Sequence, residues 1–181
     1  MISCFKGKFR VTSPRGYRTL FGSRQYHGGL DMVGVDDTTV YSICDGTVRT
    51  AYEANGAGYY IVVTMGDGRR VYYMHLKEGS FKVSNGQRVT RGQALGIMGS
   101  TGNSTGAHTH LELRPKGTTM NSLDICEYTG LPNKEGVYVS DEPFLDDLCD
   151  KVKKKYGFED YTITFLEGHK WAYDLFKKLS K

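Results

Sequence analysis

From Val40 to Leu113 the chain alternates short runs rich in β-branched and aromatic residues with breaks centred on glycine. Val40-Tyr41-Ser42-Ile43-Cys44 leads through Asp45-Gly46 into Thr47-Val48-Arg49-Thr50-Ala51-Tyr52. Asp-Gly between two such runs predicts a hairpin. A second hairpin is predicted from Tyr59 to Leu76, turning at Gly66-Asp67-Gly68. Asn85-Gly86 and Arg91-Gly92 carry the punctuation on to Ala94-Leu95-Gly96-Ile97-Met98. Gly99 to Gly106 has too little apolar surface to be core and reads as a loop, with His108 to Leu113 as a closing strand. The pattern predicts a mainly β fold, an antiparallel sheet or sandwich-like core.

Beyond it the period changes. Lys116 to Asp141 looks irregular, and Phe144, Leu148, Val152 and Tyr156 then recur every four residues behind Pro143, with Ser140 or Asp141 placed to cap. Trp171, Leu175 and Leu179, flanked by Ala172 and Phe176, form a second helical stripe. The expected division is a β domain over residues 1–125, a connector over 126–140 and a small α-helical segment over 141–181. Alone those helices bury little, so they are expected to pack together or against the β core.

The 181 residues suit one domain with a small appendage. Residues 1–140 carry 16 Lys/Arg and 11 Asp/Glu, against 8 and 9 in 141–181. The front part is mildly cationic, which suits a polyanionic partner. No arginine-rich cluster or aromatic-basic ladder points to nucleic acid. Cys4, Cys44, Cys126 and Cys149 lie far apart without a CxxC pair, so a cysteine metal site is not expected. No stretch is long and apolar enough to span a membrane, and the opening residues lack an apolar run of signal-peptide length.

Four of the five histidines carry the candidate chemistry. His27 and Asp31 lie four apart around Gly28-Gly29, which disfavours a helix and favours a turn bringing both side chains to one point. His75 ends the run Tyr72-Tyr73-Met74. In a strand His108, His110 and Glu112 share one face, while Thr109, Leu111 and Leu113 take the other. Imidazole and carboxylate bind zinc at about 2.0 to 2.2 Å, and catalytic sites keep three protein ligands with a fourth position open. A lone strand histidine is usually structural; four in this order, with glycine-rich flanks, point to a metal.

His27-x-x-x-Asp31, Tyr-Met-His75-Leu and Gly99-Ser-Thr-Gly102-Asn-Ser-Thr-Gly106-Ala-His108-Thr-His110-Leu-Glu112 resemble the M23 family of zinc peptidases, the lysostaphin and LytM type of peptidoglycan endopeptidase. Val83-Ser-Asn-Gly86-Gln-Arg-Val89-Thr-Arg-Gly92-Gln-Ala-Leu95-Gly96 is similar to that family's turn before the glycine loop. The resemblance covers roughly residues 15–125 and implies a Zn2+ cofactor held by His27, Asp31 and His110. It implies His75 and His108 as the catalytic pair that handles protons, and bacterial peptidoglycan as the partner. Glu112 is assigned to a salt bridge, with Arg114 or another nearby cation, rather than to base work. Residues 126–181 look like the tail of such domains in phage and prophage proteins of Gram-positive bacteria. A lysin made in the host cytoplasm and acting on the wall after release, or carried on a virion, is therefore expected.

Two alternatives belong to other classes. One is a catalytically inactive, M23-like structural or wall-binding part of a phage tail. The other is a carrier module, since the text around Gly86-Gln87 and Gly92-Gln93 also resembles the lipoyl/biotinyl sandwich. No lysine sits in the turn such a carrier needs, and a carrier has no use for four aligned histidines.

Overall fold

The computed structural model describes residues 1–20, 22–117, 121–140, 145–159, 162 and 172–180. Among these residues twelve strands follow in order: β1 (Lys8–Ser13), β2 (Gly16–Leu20), β3 (Ser23–His27), β4 (Leu30–Gly34), β5 (Thr39–Tyr41), β6 (Gly46–Glu53), β7 (Gly58–Thr64), β8 (Arg70–Leu76), β9 (Arg88–Val89), β10 (Ala94–Ile97), β11 (Thr109–Arg114) and β12 (Gly136–Val139). Helix α1 (Ile125–Thr129) precedes β12, and α2 (Leu145–Tyr156) and α3 (Ala172–Leu179) follow it. Eight strands form one sheet in the order β12-β1-β4-β11-β8-β7-β6-β9, every neighbouring pair antiparallel. The mainly β class with small helices is what the patterning predicts.

Alternation gives this sheet two unlike faces. Phe9, Val11, Leu30, Met32, Leu111, Leu113, Val71, Tyr73, Ile61, Val63 and Val48 point to one side and are buried. Val40 of β5, Leu95 of β10, Ile125 of α1 and the N-terminal Cys4 and Phe5 close over them in the same core. The opposite face carries Asp31, His110, Glu112, Met74, Tyr72 and Tyr60, which follow from the register His110↔Asp31, His110↔Met74 and Glu112↔Tyr72. The chemistry lies across this open face.

The hairpin β7–β8 forms as predicted, with Gly68 at φ +87° in its turn. The hairpin expected at Asp45-Gly46 does not. β5 leaves β6 and pairs with β10 in a separate two-stranded sheet. Gly46 is not among the glycines at positive φ, so it supplies no primed turn. Its role is close packing, since a Cβ there would stand 2.4 Å from the Thr64 carbonyl oxygen. The Asp45 carboxylate instead accepts the Arg91 N–H at 2.7 Å.

Residues read as an irregular connector hold α1 and β12. Asp124 caps α1 by accepting the N–H groups of Cys126 and Glu127, and Gly130 ends it at φ +71°. β12 pairs with β1 at the sheet edge, and Ser140 donates its N–H to the Gly7 carbonyl, closing that edge. Four residues between glycine and proline breaks gave too short a pattern to read as a strand. In the tail, Leu148, Cys149, Val152 and Phe176 form a small core of their own, as the helical stripes predict. Asp141, Pro143, Phe144 and Trp171 lie outside the described residues.

Tyr73 is fully buried, and its hydroxyl accepts the Ile43 N–H at 2.8 Å, tying β8 to the segment after β5. Tyr73→Phe leaves that buried N–H without an acceptor. The expected loss is about 1–3 kcal/mol, measured by chemical denaturation, with the fold retained. A variant as stable as the parent would show that this bond contributes nothing.

Candidate active site

His27 is the last residue of β3 and Leu30 the first of β4, so two glycines make the whole connection. That connection runs beneath β11. A Cβ on Gly29 would lie 2.3 Å from the Leu111 carbonyl oxygen and 2.8 Å from His110 Nε2, and one on Gly28 2.8 Å from Glu112 Oε1. The glycines are required by space rather than by φ. They bring His27 against Asp31, and the β4–β11 register sets His110 directly opposite Asp31.

The result is a small triangle. His27 Nε2 lies 3.0 Å from Asp31 Oδ1, His110 Nδ1 lies 2.9 Å from the same oxygen, and the two nitrogens are 2.9 Å apart. The outer ring nitrogens decide the protonation. His27 Nδ1 donates to the Pro14 carbonyl at 2.8 Å, and His110 Nε2 faces the Glu112 carboxylate at 3.5 Å. With the outer nitrogens carrying the hydrogens, both inner nitrogens present lone pairs to each other and to an anionic oxygen. Such a trio needs a cation. Burial would raise the Asp31 carboxyl, but where a proton sits between it and the His110 and His27 nitrogens, the hydrogen bonds it makes outweigh burial and hold the carboxyl well below the usual range. Burial likewise disfavours the His110 imidazolium, yet Asp31 and Glu112 raise its pKa. The charge the cluster calls for is met by a proton or by a metal ion, and the three atoms are close enough for one ion to touch all of them.

Arg18 Nη1 donates to the other Asp31 oxygen, Oδ2, at 3.1 Å, which leaves Oδ1 for the triangle. Arg114 Nη2 holds Glu112 at 2.7 Å, and although burial opposes it, His110 and Arg114 keep that carboxyl at about 2. Glu112 is thus engaged in the salt bridge expected of it. Sequence reasoning did not find Arg18 or the Pro14 carbonyl, since neither residue has a fixed spacing to the histidines.

The other two histidines stand beside the triangle. His108 Nε2 is 3.7 Å from Asp31 Oδ1, and the ring centroids of His75 and His108 are 4.6 Å apart. His75 Nδ1 donates to the Thr101 carbonyl at 2.9 Å and His108 Nδ1 to the Gly106 carbonyl at 2.8 Å. Both carbonyls belong to the glycine-serine loop. Each ring therefore keeps Nε2 as its basic atom. Burial, with His108 and His110 adding repulsion, lowers the His75 pKa to about 4 despite the Thr101 bond, so at neutral pH it is uncharged.

His75 also has the one positive φ, +62°, of any non-glycine residue described. Strict alternation would send it into the core with Val71 and Tyr73. The left-handed residue and the register break between Tyr59 and Ile61 return Leu76 to the core and turn His75 to the open face. All five residues proposed from sequence, His27, Asp31, His75, His108 and His110, are brought together here. They line one end of a groove of about 770 Å³ that continues over Met74, Tyr72 and Tyr60 toward Arg49.

The model of peptidase family M23 matches residues 25–122. The chain belongs to peptidase family M23. It is 34% identical over 133 residues to the peptidoglycan DD-endopeptidase ShyA of Vibrio cholerae, covering 71% of this chain and 30% of that protein. The lysostaphin catalytic domain of Staphylococcus simulans superposes with TM-score 0.57 at 27% identity, over 67% of this chain and 92% of that one. A zinc-containing peptidase from Vibrio cholerae aligns with TM-score 0.50 at 33% identity, over 58% of this chain and 33% of that one. The chain spans 25 to 30% of the length of such curated relatives. These come from Gram-negative bacteria, among them Vibrio and Neisseria, and give no support to a phage lysin of a Gram-positive host. Among the described residues no helix is long and apolar enough to cross a membrane.

Gly29→Ala is expected to lower stability by about 1–3 kcal/mol, the range for overpacking, and to weaken metal binding through His110. Gly66→Ala, where an added Cβ meets nothing within 4 Å, is the control and stays within about 0.5 kcal/mol of the parent. Denaturation and metal titration of both variants check this; equal behaviour would remove the spatial argument for Gly29.

Proposed function

We propose that this M23 peptidase is a zinc-dependent endopeptidase that hydrolyses peptide bonds of bacterial peptidoglycan. The observation that carries the reading is the pairing of two functions in one place. Three donors whose tautomers leave lone pairs converging, His27, Asp31 and His110, lie beside two histidines, His75 and His108, whose Nδ1 atoms are committed to carbonyls and whose Nε2 atoms stay basic. Two imidazoles and one carboxylate suit zinc, and three protein ligands leave a position open. The names of ShyA, a DD-endopeptidase, and of the zinc-containing Vibrio peptidase support the substrate and the metal. With every motif position occupied, the inactive phage-tail alternative has no observation in its favour.

Zinc bound to the triangle supplies Lewis acidity for a water and for the scissile carbonyl. The remaining steps belong to the chain. With Nδ1–H committed to a carbonyl in each case, His75 and His108 direct Nε2 toward the open position. One of them takes the proton from the water and delivers it to the leaving amine. The other donates to the oxyanion in its imidazolium form, with a second proton taken from solvent onto Nε2. Arg18 and Glu112 keep Asp31 and His110 in place while this happens.

His27→Ala, Asp31→Ala and His110→Ala are each expected to lose zinc and turnover together. His75→Ala and His108→Ala are expected to keep zinc and to lose turnover by on the order of 10²-fold or more, the scale of a lost acid–base group. Zinc content and the rate of wall hydrolysis on the same preparations decide it. A metal-free His108→Ala beside a loaded His110→Ala would invert the roles.

A further inference from the structure

Among the described residues three cations line the groove: Arg18, Arg49 and Arg114. Two are neutralised by groove carboxylates, Arg18 by Asp31 at 3.1 Å and Arg114 by Glu112 at 2.7 Å. Arg49 of β6 differs. It is exposed, and its guanidinium carbon lies over the Tyr60 ring, 5.6 Å from the ring centroid. Glu53 shares its strand face, but four residues along, roughly 13 Å at the strand rise, and it accepts the Ala57 N–H at 3.4 Å. Arg88, opposite Thr47 on β9, faces the same side and adds positive charge beyond the groove end.

Between Arg49 and the histidines the floor is apolar and flat. Ala57, Val62, Tyr72 and Met74 form it with Tyr60, whose ring stacks with Tyr72 at 6.3 Å and 16°. The register Arg49↔Val62, Val62↔Tyr72 and Tyr72↔Glu112 places Arg49 three strands from Glu112. At roughly 4.8 Å per strand that is about 14 Å, and the two-residue step along β11 from Glu112 to His110 makes the span to the triangle about 16 Å, or about four to five residues of extended peptide.

We propose that Arg49, held against Tyr60, binds a carboxylate of the substrate peptide about four to five residues from the bond that is cut, and so selects acidic stem peptides over neutral ones. This rests on the peptidase reading above. A guanidinium stacked on a ring keeps its N–H edge free and pre-oriented, and that edge matches a carboxylate with two parallel bonds. Among the described residues Arg49 is the one cation lining the groove that no groove carboxylate neutralises, which fits a single carboxylate in the groove; a polyphosphate would call for several cations within it.

The test uses a cross-linked stem peptide in two forms, with its side carboxyls free or converted to carboxamides. Binding is measured on the zinc-loaded full chain carrying His108→Ala, and kcat/KM on the parent and on Arg49→Gln and Arg49→Lys. The free-carboxyl form is expected to bind about tenfold more tightly, with the difference in KM rather than kcat and shrinking as salt rises. Arg49→Gln is expected to bring the free form down to the level of the amidated one and leave the amidated rate unchanged; Arg49→Lys recovers part of the preference. A preference that survives Arg49→Gln, or a parent that handles both forms alike, overturns the proposal while leaving the peptidase reading intact. Neither form bound nor cut would overturn both.

Discussion

Three atoms that repel one another are held together by everything around them. His27 Nε2, Asp31 Oδ1 and His110 Nδ1 stand within 3.0 Å, and acceptors behind the two rings fix both lone pairs inward. An arrangement like this is stable only with positive charge at its centre. The rest of the site serves that constraint: the glycine pair that lets β3 and β4 pass beneath β11, the Pro14 carbonyl, and the Glu112–Arg114 pair. Arg18 on the second Asp31 oxygen completes it.

The scaffold explains how a site with such tight tolerances survives. Two of the three converging donors, Asp31 and His110, sit on β4 and β11, central strands of the eight-stranded sheet, whose other face is the buried core, and His27 ends β3 beside them. His75 and His108, to which we assign the proton handling, depend instead on a loop. Thr101 links them to the sheet, because its carbonyl accepts from His75 while its hydroxyl donates to Leu76 and accepts from Tyr59. The backbone strain at His75 thus has a counterweight in these bonds, and it buries the ring enough to keep it neutral.

The ligand spacing was legible because its cause is local: a two-residue glycine turn for His27 and Asp31, and strand alternation for His108 and His110. His75 was legible only by resemblance, since alternation alone would have buried it. The failed hairpin at Asp45-Gly46 has the opposite lesson. A glycine reads the same whether it serves a turn or a close approach, and only the Thr64 backbone beside Gly46 distinguishes them. β12 was hidden because an edge strand of four residues, with Val137 and Val139 exposed, carries no alternation strong enough to see. Arg18, Pro14 and Arg49 act through register between distant strands, which spacing along the chain does not encode.

The most direct test is the imidazole ¹⁵N NMR spectrum of the zinc-loaded protein, which reports for each ring which nitrogen bears hydrogen and which bears metal. The account predicts metal on Nε2 of His27 and on Nδ1 of His110, with hydrogen on the opposite nitrogen of each. It predicts His75 and His108 as unmetallated rings with hydrogen on Nδ1. Metal on His75 or His108, or hydrogen on the inner nitrogen of His27 or His110 with zinc present, would contradict it.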